Sequence, residues 1–363
     1  MQAVDLTYQV LYSELAQRSL DAAFSSEFDV EGRFIKMESR GRKYWYFDTA
    51  KPDGGKDRRY VGPVDDEEIT KRVDNFKDIK ADARARRKIV STLVRNAYLP
   101  RPEGKVGDII QALATAGFFR LRGVLIGTVA FQAYSALLAV RLPNTAMQTE
   151  DADFAQFHSI SVAVEDQMPP VIDLLREIDP TFREVPARAD GRHTTQFTDR
   201  SGYKVEFLTP HTGSEDQADR PASMPALGGA SAQPLRFLDF LIYQPVRAVI
   251  LHGSGIPVLV PAPERYAIHK LIVATRRLKD DNGIGKSFKD RLQARTLIEA
   301  MVAVRQTDAL ADAYMEAWDR GPHWRDAITA SLATFAEDVQ EQIRTALREG
   351  VRRLDADPAD YAL

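Results

Sequence analysis

Apolar positions recur along this chain at two periods, and each change of period marks a change of element. Near the start, Leu6, Val10, Leu11, Leu15 and Leu20 return at roughly helical spacing, which predicts an amphipathic helix over residues 3–24. Short strands follow at 32–35, 43–47 and 59–63, with a turn at Asp53-Gly54-Gly55, together a small meander. From Asp65 to about Asn96, charges of both signs are interspersed, which predicts one long solvated helix. Pro100 and Pro102 then break the chain and mark a domain boundary.

Beyond that break the pattern reads helix (109–118), strand (124–126), a turn at Gly127 and a helix over 129–140. A strand carrying Asp151 and Asp153 comes next, and residues up to Val164 continue it or start another. A helix over 170–178 precedes a hairpin of 194–198 and 203–208, closed by Asp199-Arg200-Ser201-Gly202. Residues 209–234 are polar and rich in Gly, Pro, Ser and Ala, and a loop of that length is expected to be a lid or disordered. Strands at 246–251 and 256–260 are expected to extend the sheet, joined by a hairpin turn at Gly253-Ser254-Gly255. A helix opens at Pro263, a glycine-broken linker spans Lys279 to Lys286, and a further helix begins at Lys289. From Leu297 to Leu354 two or three amphipathic helices follow, with Trp318 and Trp324 as packing anchors.

Composition narrows the function classes. A length of 363 residues allows two or three domains. A net charge of -3 gives no bulk attraction to nucleic acid. Arg40, Arg42, Lys43, Arg58 and Arg59 lie beside Tyr44, Trp45 and Tyr46, and two readings stand. The rings stack on bases while the cations track phosphates, or the rings pack the meander onto a helix; alternating aromatics favour packing. The absence of cysteine excludes disulfides and thiolate chemistry and fits a reducing compartment. The N-terminus is not basic-then-apolar, and no apolar run approaches the ~20 residues of a membrane span. A soluble, cytoplasmic protein without a membrane partner is the expectation. The histidines lack zinc-site spacing, and no P-loop or nucleophile elbow is present.

The chemistry concentrates at two places. Asp151 and Asp153 sit two apart on a strand, so both side chains project from one face while Ala152 and Phe154 face a core. Such carboxylates repel unless a cation lies between them, and hard divalent ions, Mg2+ or Mn2+, suit carboxylate and phosphate oxygens. Gly127-Thr128 opens a helix. A helix start offers free N–H groups and a positive dipole end to a phosphate, and the threonine adds a hydroxyl.

The order strand, Gly127-Thr128, helix, then Asp151-Ala152-Asp153 on a strand resembles the polymerase-beta-type nucleotidyltransferase superfamily. Thr128 stands where that family usually carries Ser or Gly. The resemblance implies that Glu206, on the strand Tyr203–Leu208, joins Asp151 and Asp153 as a third metal ligand or as general base. Further on, Lys270-Leu271, Arg276-Arg277 and Lys289-Asp290-Arg291-Leu292-Gln293 resemble the helical tail of standalone bacterial nucleotidyltransferases, including the abortive-infection toxin type. By that resemblance Lys270 and Lys289 bind the triphosphate and Asp290 orients a neighbouring basic group. Cations are needed there, because two magnesium ions do not neutralise three carboxylates plus a nucleoside triphosphate.

The implied fold is α+β. A mixed-sheet nucleotidyltransferase core (104–263) lies between an N-terminal unit of helix, meander and long charged helix (1–103) and a C-terminal helical bundle (264–363). The implied reaction moves a nucleoside monophosphate from an NTP such as ATP to a hydroxyl on RNA (a tRNA end among them), protein or a small molecule. The alternatives are an inactive binding module of the same fold or a nucleic-acid-binding protein of a toxin–antitoxin-like system. The sequence does not choose the acceptor, the base of the NTP or the oligomeric state.

Overall fold

A two-residue strand β1 (Gln2–Ala3) leads into helix α1 (Leu6–Ala22) of this computed structural model. The structure describes residues 1–22, 32–39, 42–50, 55–65, 67–143, 151–163, 167–211, 213, 220–277 and 281–363. The buried side of α1 carries Tyr12, Leu15 and Ser19, whereas Leu6 and Val10 face solvent. Helical spacing defined an apolar stripe, but the docking face is the one where the Tyr12 hydroxyl meets the backbone of Val249. It accepts from the Val249 amide at 3.0 Å.

Strands β2 (Arg33–Ser39), β3 (Arg42–Ala50) and β4 (Lys56–Pro63) form an antiparallel meander, followed by the long helix α2 (Glu67–Arg95). Phe34, Phe47 and Phe76 of α2 form a cluster with ring centroids 4.8, 5.0 and 5.7 Å apart. The Trp45 indole donates to the Thr70 hydroxyl at 2.9 Å. The rings therefore pack the meander onto α2, and Arg58 is paired with Asp48. Arg40, Asp53 and Gly54 lie outside the described residues, as do the side chains of Arg42 and Arg59.

Helix α3 (Gly104–Thr115) precedes β5 (Val124–Ile126), α4 (Gly127–Leu137) and β6 (Val140–Arg141), and β6 pairs with β1. The central sheet then takes β7 (Asp151–Ala155), β8 (Arg183–Pro186), β9 (Thr194–Thr198), β10 (Lys204–Pro210), β11 (Ala222–Ser223) and β12 (Ser231–Leu235). Its order is β11-β12-β10-β7-β5, with β9 on the first half of β10 and β8 on β9. β10 runs parallel to β7 and β12 and antiparallel to β9. Alternation buries Phe154 and Phe207 on one face, stacked at 5.7 Å, with Phe118 and Phe197 edge-on to Phe207. That aromatic floor fixes which way the acidic face points, because a one-residue slip would turn every side chain over.

Four expectations need correction. The stretch after β7 is neither continued nor replaced by a strand: residues His158–Ala163 form helix α5. The buried Gln156 amide side chain donates to Leu121 O at 2.6 Å, and its backbone N–H to Leu208 O, which ends the ladder; Val164 lies outside the described residues. The polar segment 209–234 is not one long lid or disordered loop. It supplies the end of β10, β11 and β12, with Met224, Ala226, Leu227 and Ala232 buried. Composition hid this because β12 is held by backbone pairing to β10, while residues 212 and 214–219 fall outside the described set.

Strands β13 (Val246–Ile250) and β14 (Ile256–Val260) do not extend the sheet, but form their own two-stranded hairpin beneath α1. Positive φ at Gly253 (57°) and Gly255 (89°) closes their turn. Finally, what reads as a glycine-broken linker is helix. α6 (Val171–Ile178), α7 (Leu238–Leu241) and α8 (Pro263–Ala274) come before α9, which runs Asp281–Ala303 through Gly283 and Gly285. Packing against α8 overrides the weak helix preference of the two glycines; Lys279 lies outside the described residues.

Helices α10 (Thr307–Asp319), α11 (Pro322–Leu332) and α12 (Glu337–Arg353) complete the chain. Trp318 stacks on Tyr314 at 5.6 Å, and Trp324 meets Phe237 edge-on at 4.7 Å. One buried cluster runs from Val106 of α3 to Leu347 of α12, so the sheet and the C-terminal helices share a core. The architecture is α+β. Among the described residues no helix is long and apolar enough to cross a membrane.

Candidate active site

The acidic face of the sheet gathers the residues singled out above. β7 alternates as its sequence requires: Ala152 and Phe154 are buried, Asp151 and Asp153 half-buried on the opposite face. In the parallel ladder Glu206 of β10 stands directly opposite Asp153, and Lys204 opposite Asp151. On the other side Ile126, the last residue of β5, is the partner of Asp153. Gly127 follows at once with φ +67°.

The glycine has a steric reason as well as a conformational one. A Cβ at Gly127 would lie 2.3 Å from Asp153 Oδ2, closer than any nonbonded approach allows. Gly127→Ala is expected to push the Asp153 carboxylate aside, with a loss of about 1–2 kcal/mol of stability from the strained φ. Transfer activity should fall roughly a hundredfold, since a misplaced reacting group costs that much. Labelled-nucleotide turnover alongside circular dichroism checks it; full activity would show that the carboxylate does not need this position.

Two of the three carboxylates are held above their ordinary range. Burial, then Asp151 and Glu206, push the Asp153 carboxyl up to about 7, with Lys270 and Lys286 opposing. Burial and then Asp151 also raise Glu206, opposed by Lys204, Lys286 and a hydrogen bond donated by the Gln196 side chain. Burial, followed by Asp151 and Asp153, raises the Tyr203 hydroxyl, whose oxygen has no hydrogen-bond partner. As the side chains stand, no three histidine, aspartate or glutamate groups among the described residues are gathered tightly enough to enclose a metal ion by themselves.

Two helices from beyond the sheet close the other side. The Tyr266 hydroxyl of α8 donates to Gly127 O at 2.9 Å or to Gln293 Oε1 of α9 at 3.0 Å. Gln293 Nε2 approaches the Thr128 hydroxyl at 3.5 Å, so that buried oxygen accepts from below and keeps its own proton to donate. Lys270 is buried and its ammonium lies 2.6 Å from Asp290 Oδ1, while Arg277 Nε lies 2.7 Å from Oδ2. Burial works against the Asp290 carboxylate, yet these two cations hold it below its ordinary range. Burial lowers the half-buried Lys289 ammonium, with Asp151 the largest opposing charge. Sequence reasoning quoted Gln293 only as part of a motif and assigned no role to it or to Gln196, Tyr203, Tyr266 and Lys286, whose roles depend on how separate elements meet.

Next to Lys270, His269 is buried with Nδ1 unpaired, and burial followed by the Lys270 charge depresses it to about 3. The ordinary value is about 6.5. The neutral ring's contribution is therefore complete above that pH and is lost as pH falls from 6.5 toward 3. The slope approaches roughly 1.4 kcal/mol per pH unit. Urea titrations at pH 7 and pH 5 should show wild type losing more stability than His269→Leu; parallel losses would remove the role assigned to this ring.

A family model described as Nucleotidyltransferase matches residues 104–319, the span from the first residue of α3 to the last of α10 that contains every group named above. Searches of the curated proteins and of the solved structures gave no match. The match covers more than half of the chain, and on it the protein belongs to this nucleotidyltransferase family.

Proposed function

We propose that the chain transfers a nucleoside monophosphate from a nucleoside triphosphate to a hydroxyl acceptor, with Asp151, Asp153 and Glu206 as the acidic centre. The observation that carries this reading is the register: Glu206 faces Asp153 across one parallel ladder, and Gly127 lies against the same carboxylate. Carboxylates that raise one another's proton affinity are a donor set for a hard divalent cation. Magnesium or manganese, bound between them and the phosphates, would supply Lewis-acid stabilisation of the transferring phosphoryl group. Asp151, Asp153 and Glu206 would be the residues that hold it.

The chain's own groups divide the remaining work. The amides at the start of α4 and the Thr128 hydroxyl bind phosphate oxygens, oriented by Gln293 and Tyr266. Lys270 and Lys289 add positive charge on the triphosphate side, and Asp290 holds Lys270 in place. Glu206 takes the proton of the attacking hydroxyl. The acceptor oxygen forms a bond to the α-phosphorus, the bond from that phosphorus to the bridging oxygen breaks, and pyrophosphate leaves.

Incubating the full chain with labelled nucleoside triphosphates, Mg2+ and total cellular RNA or protein tests the reading. A labelled product that is lost with EDTA and with Asp151→Ala supports it. Nucleotide binding without any product, unchanged in Asp151→Ala, would leave an inactive binding module.

A further inference from the structure

A recess of about 320 Å3 lies between the last turns of α2, the proline-containing connection to α3 and the β13–β14 turn. Arg87, Ser91 and Arg95 line it from one face of α2, spaced by four and four residues. Arg101 and the start of α3 at Gly104 close one end, and His252 the other. The one acidic group beside His252, Asp108, is engaged by its Nε2 at 2.9 Å. Arg95 and Arg101 are exposed, and neither side chain has a partner among the described residues.

An exposed aromatic ring sits on the same connection between α2 and α3. Tyr98 lies between Arg95 and Arg101 in the chain, at φ 57° and 70% exposed, with the Arg141 guanidinium 5.0 Å from its ring centroid. Water-exposed tyrosine on a strained turn contributes nothing to the core, whereas a base can stack on it.

The connection that lines the recess bears on the acidic site through its charge. Glu103, between Arg101 and Gly104, acts on the Tyr203 hydroxyl, as do Asp151 and Asp153. Lys105, one residue further, is paired with Asp199 in the turn before β10. Lys270 and Lys289 belong to α8 and α9, which do not line the recess.

We propose that this recess, with Tyr98 on the same connection, binds the sugar–phosphate backbone of a single-stranded polynucleotide. The binding does not depend on the nucleotidyl-transfer reading. Arginines supply charge-assisted, bidentate contacts to phosphate, and the exposed ring selects a polynucleotide over a small phosphate. With a net charge of -3 for the chain, this local patch must supply the attraction.

The test is fluorescence anisotropy of the full chain with a labelled 12-mer oligoribonucleotide and its deoxy counterpart, without nucleotide or metal, over a salt series. Arg95→Glu/Arg101→Glu is expected to weaken binding at least tenfold and to flatten the log–log salt slope by roughly 1.4, about 0.7 per lost phosphate contact. Arg95→Gln/Arg101→Gln should give the same sign with a smaller loss, and Tyr98→Ala about tenfold. All three changes are at exposed positions, so melting temperatures should match wild type. A wild-type protein that binds RNA but transfers nothing would count against the transfer reading alone. Unchanged affinity in the charge-reversed protein overturns the proposal, as does binding of inorganic phosphate with none of either oligonucleotide.

Discussion

Asp153→Asn is expected to abolish nucleotidyl transfer, by about a thousandfold or more, while making the metal-free protein more stable. The carboxylate stands in the middle of the site, opposite Glu206 on one side and next to Gly127 on the other. A neutral amide of the same shape keeps the packing but cannot hold a divalent cation or balance its charge. It also removes the central member of three mutually repelling acids, for a gain of about 1–2 kcal/mol. In EDTA the variant should melt above wild type, and excess Mg2+ should raise the wild type but not the variant. A variant that keeps substantial turnover would remove Asp153 from the chemistry. One that is less stable than wild type in EDTA would show that the acids are balanced by charges other than a metal.

The second large effect is expected at Asp290, and it is structural before it is catalytic. Asp290 is 3% exposed and is shared by Lys270 and Arg277. Removing it leaves a buried ammonium without a counter-charge, a loss of roughly 3–5 kcal/mol. The Arg277 half is more exposed and contributes less. Asp290→Ala should therefore lower the urea midpoint sharply and weaken triphosphate binding, because Lys270 is no longer held. Lys270→Met/Asp290→Leu should recover most of the stability but none of the nucleotide affinity. If the single variant is as stable as wild type, the trio is a solvated surface pair. If the double variant binds nucleotide normally, Lys270 does not bear on the phosphates.

What could be read from the chain, and what could not, follows from the range of each interaction. The period-two placement of Asp151 and Asp153, the apolar run ending at Gly127 and the alternation through Glu206 are local, and local pattern fixes which face a side chain takes. The contacts of Tyr266 and Gln293 with Gly127 and Thr128 join residues far apart in sequence, and that of Gln196 with Glu206 depends on the register of their hairpin. No periodicity records such contacts. Polar composition misled at 209–234, where backbone pairing to β10 sets the strand, and glycine content misled at the start of α9, where packing on α8 prevails. Leu6 and Val10 fit a helical stripe yet stay exposed, since the docking face is decided by the hairpin that α1 covers.

That hairpin also separates the family-matched unit of chemistry from the unit of stability. Val249 and Leu251 are buried against Val4, Tyr12, Leu15, Ile89, Leu93 and Leu99, all upstream of residue 104. Cutting the chain at the edges of the family match would strip this shelter from one flank and α11 and α12 from the other. The fragment would carry every acid and base of the transfer site on a body with two greasy wounds, and it should be harvested as aggregate rather than as a miniature enzyme.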